Sequence, residues 1–278
     1  MSAETGPSHA TSAVGPLVLS TSRRRARFLS PGRLLLYALV IAGAVVFALP
    51  FLWMVSTSIK PENKVFAYPP EWVPTEFTLV GFREPWENLP FLTYYVNTVL
   101  ITALNIVGYL GSCSLVAFAF ARMRFRGRGP LFVLVLSTMM LPGQVTLIPL
   151  YRLWSELGLV NTIGPLTIPA FFAGEYTGAF TVFLLRQYMM TLPFDLDDAA
   201  AIFLFTGKWN EFLQPLIYLQ TQDRFTVPLG LAQLNTHFSL QYNQTMAQTL
   251  ISLVPVLLVF FLVQHRYVQG IVISGVKG

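Results

Sequence analysis

Leu34-Leu-Leu-Tyr-Ala-Leu-Val-Ile-Ala-Gly-Ala-Val-Val-Phe-Ala-Leu-Pro-Phe-Leu-Trp-Met-Val55 carries no charged side chain from end to end. A run of that length matches the roughly 20 apolar residues that cross a bilayer as one helix. It is too long for the apolar core of a cleaved secretory signal and lacks the usual small-residue cleavage site, so it reads as a retained span. Of the 278 residues, 54% are hydrophobic and only 11% charged, against roughly 25% charged in a soluble domain. That is too little charge to coat a water-facing surface. A water-soluble globule is excluded, and the expected fold class is an all-α membrane protein of about six transmembrane helices.

Basic residues orient the runs, because lysine and arginine beside a span mark its cytoplasmic end. Arg23, Arg24, Arg25, Arg27 and Arg33 precede the first span. Arg122, Arg124, Arg126 and Arg128 follow the second. The net charge of +5 sits largely in these two clusters, so it marks topology and not a nucleic-acid surface. Residues 1–33, rich in Ser, Thr, Gly and Pro before the arginines, are expected to be a disordered cytoplasmic lead-in. Residues 34–278 are expected to be one transmembrane domain with spans near 34–55, 95–120, 130–150, 163–185, 199–219 and 246–265, both termini lying inside. The stretch from Lys60 to Leu89, with five glutamates among prolines and tryptophans, is expected outside and partly interfacial. Pro142-Gly143 marks a kink in the third span. The fifth span is marginal, since Lys208 and Glu211 fall inside it and a charge at the centre of a membrane helix costs about 2.5 to 3.5 kcal/mol. Three residues apart, they share a helical face and can pair.

Catalytic chemistry finds little support. His9, His237 and His265 are the only histidines, Cys113 is the only cysteine, and none has a partner at metal-ligand spacing. No catalytic residue and no metal site are expected. Gly207-Lys208 lacks both the glycine-rich turn and the following Ser or Thr of a phosphate loop, so the chain is not expected to bind or hydrolyse ATP. Polar residues inside apolar runs remain: Asn97, Asn105, Gln144, Glu175, Asn210, Glu211 and Gln214. Such groups either bond a neighbouring helix or line a polar path. Asn210, Glu211, Gln214 and Glu175 are the candidates for a substrate path, because amides and acids hydrogen-bond hydroxyls. One loop is more specific. Leu192-Pro-Phe-Asp-Leu-Asp-Asp-Ala-Ala200 sets a helix-starting proline before acids and then alanines, a helix start by capping and dipole rules.

That loop resembles the Glu-Ala-Ala loop of permease subunits in binding-protein-dependent ABC importers, with Asp198 where the family usually has Glu. Pro50-Phe-Leu-Trp-Met-Val-Ser-Thr-Ser-Ile-Lys60, Ala117-Phe-Ala-Phe-Ala-Arg122, Met140-Leu-Pro-Gly-Gln-Val-Thr-Leu-Ile-Pro149, Phe183-Leu-Leu-Arg-Gln187, Trp209-Asn-Glu-Phe-Leu-Gln-Pro215 and the tail Gly270 to Gly278 resemble the carbohydrate-uptake group, of the maltose-importer second-permease type. The resemblance runs from about Leu34 to the C-terminus. It implies the type I permease fold and a half-channel that pairs with a second permease, as a heterodimer. It further implies two ATP-binding cassette ATPase subunits that use the ATP, an extracytoplasmic sugar-binding protein, and a sugar carried across the cytoplasmic membrane. It also implies that Leu192, Pro193, Asp198, Ala199 and Ala200, within a cytoplasmic coupling segment at 186–200, dock on the ATPase.

The chain departs from that family at one point. After the two alanines the family pattern continues through a second short helix to a Leu-Pro before span five, whereas here Ala200 runs directly into Ala201-Ile-Phe-Leu-Phe. About two dozen residues are missing from that pattern, enough for two to three helical turns and a connection. Three readings stand: a permease whose shortened loop still couples, a deletion-damaged permease uncoupled from its ATPase, and a membrane assembly subunit that transports nothing.

Overall fold

The computed structural model describes residues 31–191, 204–237 and 241–275. All regular structure among them is helical. In chain order the helices are α1 (Pro31–Ser58), α2 (Glu62–Val65), α3 (Val80–Asn88), α4 (Phe91–Arg122), α5 (Arg128–Thr138), α6 (Gly143–Glu156) and α7 (Gly164–Thr167). A 3-10 turn at Ile168–Phe172 leads to α8 (Glu175–Thr191), then α9 (residues 204–209), α10 (Leu213–Tyr218), α11 (Val227–His237) and α12 (Tyr242–Gly275). The described residues divide into two units, one up to Leu49 and one from Pro50 onward; the division falls at Pro50, a proline inside α1, where a backbone donor is lost.

Among the described residues, four stretches are long and apolar enough to cross a bilayer: Pro31–Ser58, Phe91–Arg122, Gly164–Met190 and Tyr242–Leu262. A fifth counts if α5 and α6 are taken together, but they meet at 92°. Where the sequence predicts one kinked span at 130–150, the structure has two helices at nearly a right angle. Pro142 stands extended as the N-cap of α6, with φ −65° and ψ 132°, so the helix cannot run through it. The predicted fifth span at 199–219 is likewise no single helix among the described residues. α9 ends before Asn210 and α10 begins at Leu213, and that break puts Glu211 at a helix end, where its charge meets backbone donors. α11, in a stretch outside the predicted spans, forms a further helix.

α4 is the central strut of the second unit. Tyr94, Thr98, Ile101, Asn105, Gly108 and Tyr109 are buried at helical spacing along it, the first two against α11 and the others toward α7, the 3-10 turn and α8. In lipid there is no hydrophobic drive between helices, so small and polar residues do the gluing. Asn105 Nδ2 donates to Leu166 O and Ile101 O, both at 2.8 Å. Ser112 Oγ donates to Ala170 O at 2.7 Å and accepts from Ala173 N at 3.1 Å. A Cβ on Gly108 would lie 2.9 Å from Ala170 Cβ. The C-terminal carbonyls of α4, which have no partner within the helix, are taken by arginines. Arg128 donates to Ala121 O at 3.3 Å and Met123 O at 3.4 Å. Arg186 Nε donates to Phe120 O at 3.2 Å while its guanidinium lies 4.0 Å over the Phe132 ring. Arg128, which the sequence offers as an orientation signal, therefore also caps a helix, together with Arg186.

α11 crosses α4 at an approach only glycine permits. A Cβ on Gly230 would stand 2.3 Å from Tyr94 Cδ2, and the fully buried Tyr94 ring has nowhere to swing. Gly230→Val is expected to cost about 1–3 kcal/mol through overpacking, lowering the thermal unfolding temperature of the purified chain. Gly111→Ala, where a Cβ meets open space, is expected to leave that temperature level or raise it. Equal unfolding temperatures for the two variants would contradict this packing.

Candidate functional site

The break between α9 and α10 opens a cleft lined by Thr98 and Ile101 of α4, Leu166 of α7, Lys208, Glu211, Gln214, Pro215 and Thr226. It holds about 260 Å³ of empty space, part of it open solvent, with room for about one ordered water. Both sides of the break are anchored. On α9, Trp209 Nε1 donates to Ser252 O of α12 at 3.2 Å, and its indole stacks on Phe205 with centroids 5.4 Å apart. Beyond α10, Asn161 at φ 61° donates its N–H to Tyr218 O at 2.8 Å, and its Oδ1 accepts from Gln220 N at 2.9 Å and Thr221 N at 3.1 Å. Asparagine tolerates this left-handed conformation, so a single side chain fixes the end of α10.

Within the cleft, Glu211 Oε1 accepts from Gln214 N at 3.4 Å, so the carboxylate sits at the start of α10, where the helix dipole favours it. Lys208 is 9% exposed, and its Nζ lies 5.8 Å from the centroid of the Tyr109 ring. Thr98 Oγ1 donates to Tyr94 O and accepts from Val227 N, both at 2.8 Å, capping the start of α11. Thr226 Oγ1, on the same wall, is buried with no partner among the described residues. An ammonium, a carboxylate, an amide and hydroxyls thus converge on one small space, an array that can exchange hydrogen bonds with a polyhydroxylated guest. Among the described residues no three His, Cys, Asp or Glu side chains lie together as a metal site would need.

Of the four predicted path residues, the structure brings Glu211 and Gln214 to the cleft. Asn210 is exposed, bonds Thr206 O at 2.9 Å and does not line it. Glu175 begins α8, but its side chain lies outside the described residues, as do Leu192, Pro193, Asp198, Ala199 and Ala200. The remaining polar span residues serve packing: Asn105 as above, and Asn97, whose Nδ2 donates to Asp223 O and Phe225 O at 3.0 Å. Gln144 is exposed. In the sequence Lys208 stands out as a charge within a span that can pair with Glu211, whereas Thr98 and Thr226 carry no signal: Thr98 meets Val227 across 129 residues.

No family model matches the chain. It is 30% identical over 261 aligned residues to the probable ABC transporter permease protein YurM of Bacillus subtilis, covering 84% of this chain and 85% of that protein. It is 30% identical over 264 to the arabinooligosaccharides transport system permease protein AraQ of Halalkalibacterium halodurans, covering 84% and 93%. With the diacetylchitobiose uptake system permease protein DasC of Streptomyces coelicolor the identity is 28% over 267, covering 87% and 95%. Among solved structures, a bacterial ABC transporter involved in the import of the acidic polysaccharide alginate shares the fold, with TM-score 0.69 at 19% identity over 86% of this chain and 98% of that one. The alignments also carry a length mismatch. Because 84% of 278 residues is about 234, roughly 27 of the 261 positions aligned to YurM (261 − 234) have no counterpart here.

Proposed function

Since this chain belongs to the permease subunits of sugar-uptake ABC transporters, we propose that it is one half of a heterodimeric channel whose sugar passes the cleft at the α9–α10 break. The observation that carries the path is the break itself, which places Lys208, Glu211 and Gln214 on one wall inside the bundle. A second permease completes the channel, two ATPase subunits supply the ATP chemistry, and an extracytoplasmic protein delivers the sugar; this chain itself performs no catalysis and binds no cofactor. Both termini face the cytoplasm, in keeping with arginines before α1 and after α4. A small oligosaccharide is the substrate class that the relatives' names and the hydrogen-bonding wall jointly support, and a polyol would meet the same wall.

The test is uptake of labelled arabino-oligosaccharides, lactose and chitobiose by cells expressing the whole transporter. Glu211→Gln and Gln214→Leu are each expected to raise the sugar concentration for half-maximal uptake several-fold, a loss of about 1 kcal/mol per hydrogen bond, with the permease pair still co-purifying. Unchanged half-saturation in both variants would remove the cleft from the path.

The length mismatch favours a second reading of the same chain: a permease that inserts and pairs but is uncoupled from its motor. It is supported by the roughly 27 unmatched positions (261 − 234) and by the break at residues 210–212 within the expected span five.

A further inference from the structure

We propose that the connection between α1 and α4 is a membrane-surface anchor, its aromatic face seated in the interfacial layer of the bilayer. Phe66, Tyr68, Trp72, Val73, Phe77 and Leu79 follow one another along this segment and are all exposed, Tyr68 at 96% and Val73 at 77%. Clustered apolar exposure on that scale calls for a covering.

Three observations say that the covering is lipid. First, the segment's height is set by two membrane spans. Trp72 packs edge-on against Trp53, in the last turns of α1, with centroids 5.1 Å apart. Ser56 Oγ donates to Trp72 O at 2.6 Å, and Thr78 N to Ile59 O at 2.9 Å. At the other end Trp86 stacks on Tyr95 in the first turn of α4, with centroids 5.6 Å apart. Both ends of the segment are therefore pinned where helices enter the membrane. Second, the charges among these aromatics are buried or paired with one another. Lys60 is buried, and Lys64 lies 3.9 Å from Glu71 and 3.6 Å from Glu76. Third, tyrosine and tryptophan, apolar bodies with one polar tip, are the residues that settle at headgroup level. A delivery protein that comes and goes would leave this face in water between visits, whereas the bilayer is always there. The inference needs only that α1 and α4 span the membrane, not which side the segment faces nor what the cleft carries.

The experiment places nitroxide labels, one at a time, at Tyr68, Val73 and Phe77 through cysteine substitution. The native Cys113 is buried and is replaced by alanine. The full transporter is reconstituted in phosphatidylcholine nanodiscs, with control labels at Leu39 within α1 and at the exposed Arg83. Relaxation by oxygen and by a water-soluble nickel chelate is then compared. Oxygen is expected to dominate at 68, 73 and 77, at a depth between the two controls. Dominance of the nickel chelate would overturn the proposal, and so would shielding from both reagents, which would mean that a protein covers the face. An aqueous reading at Leu39 as well would overturn the membrane assignment itself. A check without labels uses Trp72→Phe. The parent chain in vesicles of lipid brominated near the headgroup is expected to show a quenched tryptophan component that this variant loses. Equal quenching in both would likewise overturn the proposal.

Discussion

Inserting, between Ala200 and Ala201, the residues that AraQ of Halalkalibacterium halodurans carries at that point is expected to raise sugar uptake by the transporter. It is also expected to increase the amount of ATPase that co-purifies with the permease pair in detergent. The break at residues 210–212 interrupts the stretch that is expected to form span five. α4, by contrast, has 32 residues. About 27 unmatched positions (261 − 234) are the right amount to supply the missing helical turns and the connection that leads into them. Coupling in an ATP-driven importer requires a rigid element to carry the ATPase's motion into the spans, and an element cut short transmits less. ATPase bound equally well with and without the insert, together with equal uptake, would show that the short segment couples unaided and would retire the uncoupled reading.

How far the sequence reveals this molecule follows from what each segment depends on. α1 and α4 are legible because an unbroken apolar run has no alternative in water. The stretch at 130–150 is legible as broken, from Pro142-Gly143, but not as bent by 92°, because a proline removes a hydrogen bond without saying where the next helix finds its partners. Span five shows its trouble through Lys208 and Glu211. Its actual form, two short helices around a polar gap, depends on Trp209 reaching Ser252 and on Asn161 holding the far end, contacts that no local pattern contains. The same holds in the cleft. Glu211 and Gln214 stand out as polar residues in an apolar run, while Thr98 and Thr226, ordinary in any helix, join them only because α11 starts against α4. α11 itself hides in a stretch with Pro228 and Gly230, residues that read as loop and serve here as a helix start and a close approach to Tyr94.

Lys60→Ala is expected to be among the most destabilising single substitutions outside the spans, and Glu62→Ala to cost less. Together these two residues join the end of α1 to the start of α12. The Glu62 carboxylate accepts from Tyr242 N and Asn243 N, each at 3.2 Å, taking two donors that a helix N-terminus leaves without partners. Lys60 O accepts from Asn243 Nδ2 at 3.1 Å. Lys60 Nζ donates to Glu71 O and stands 4.3 Å over the Trp53 ring, on a side chain only 1% exposed. Removing that side chain forfeits a charge-assisted hydrogen bond of about 1.5–3 kcal/mol and a desolvated cation–π contact of about 2 kcal/mol, whereas loss of the Glu62 cap costs about 1–2 kcal/mol. pH separates charge from packing. Burial pulls the Lys60 ammonium below its ordinary value near 10.5, against the opposing pull of Glu71. Between that lowered value and 10.5 the unfolded chain holds the proton more firmly than the folded one, so this group's contribution to stability rises with pH across that window. Lys60→Met keeps much of the stem and removes the titration. Its unfolding temperature, measured from pH 8 to pH 10.5 relative to the parent, is expected to fall behind as pH rises. A difference constant with pH would mean that Lys60 acts through packing alone.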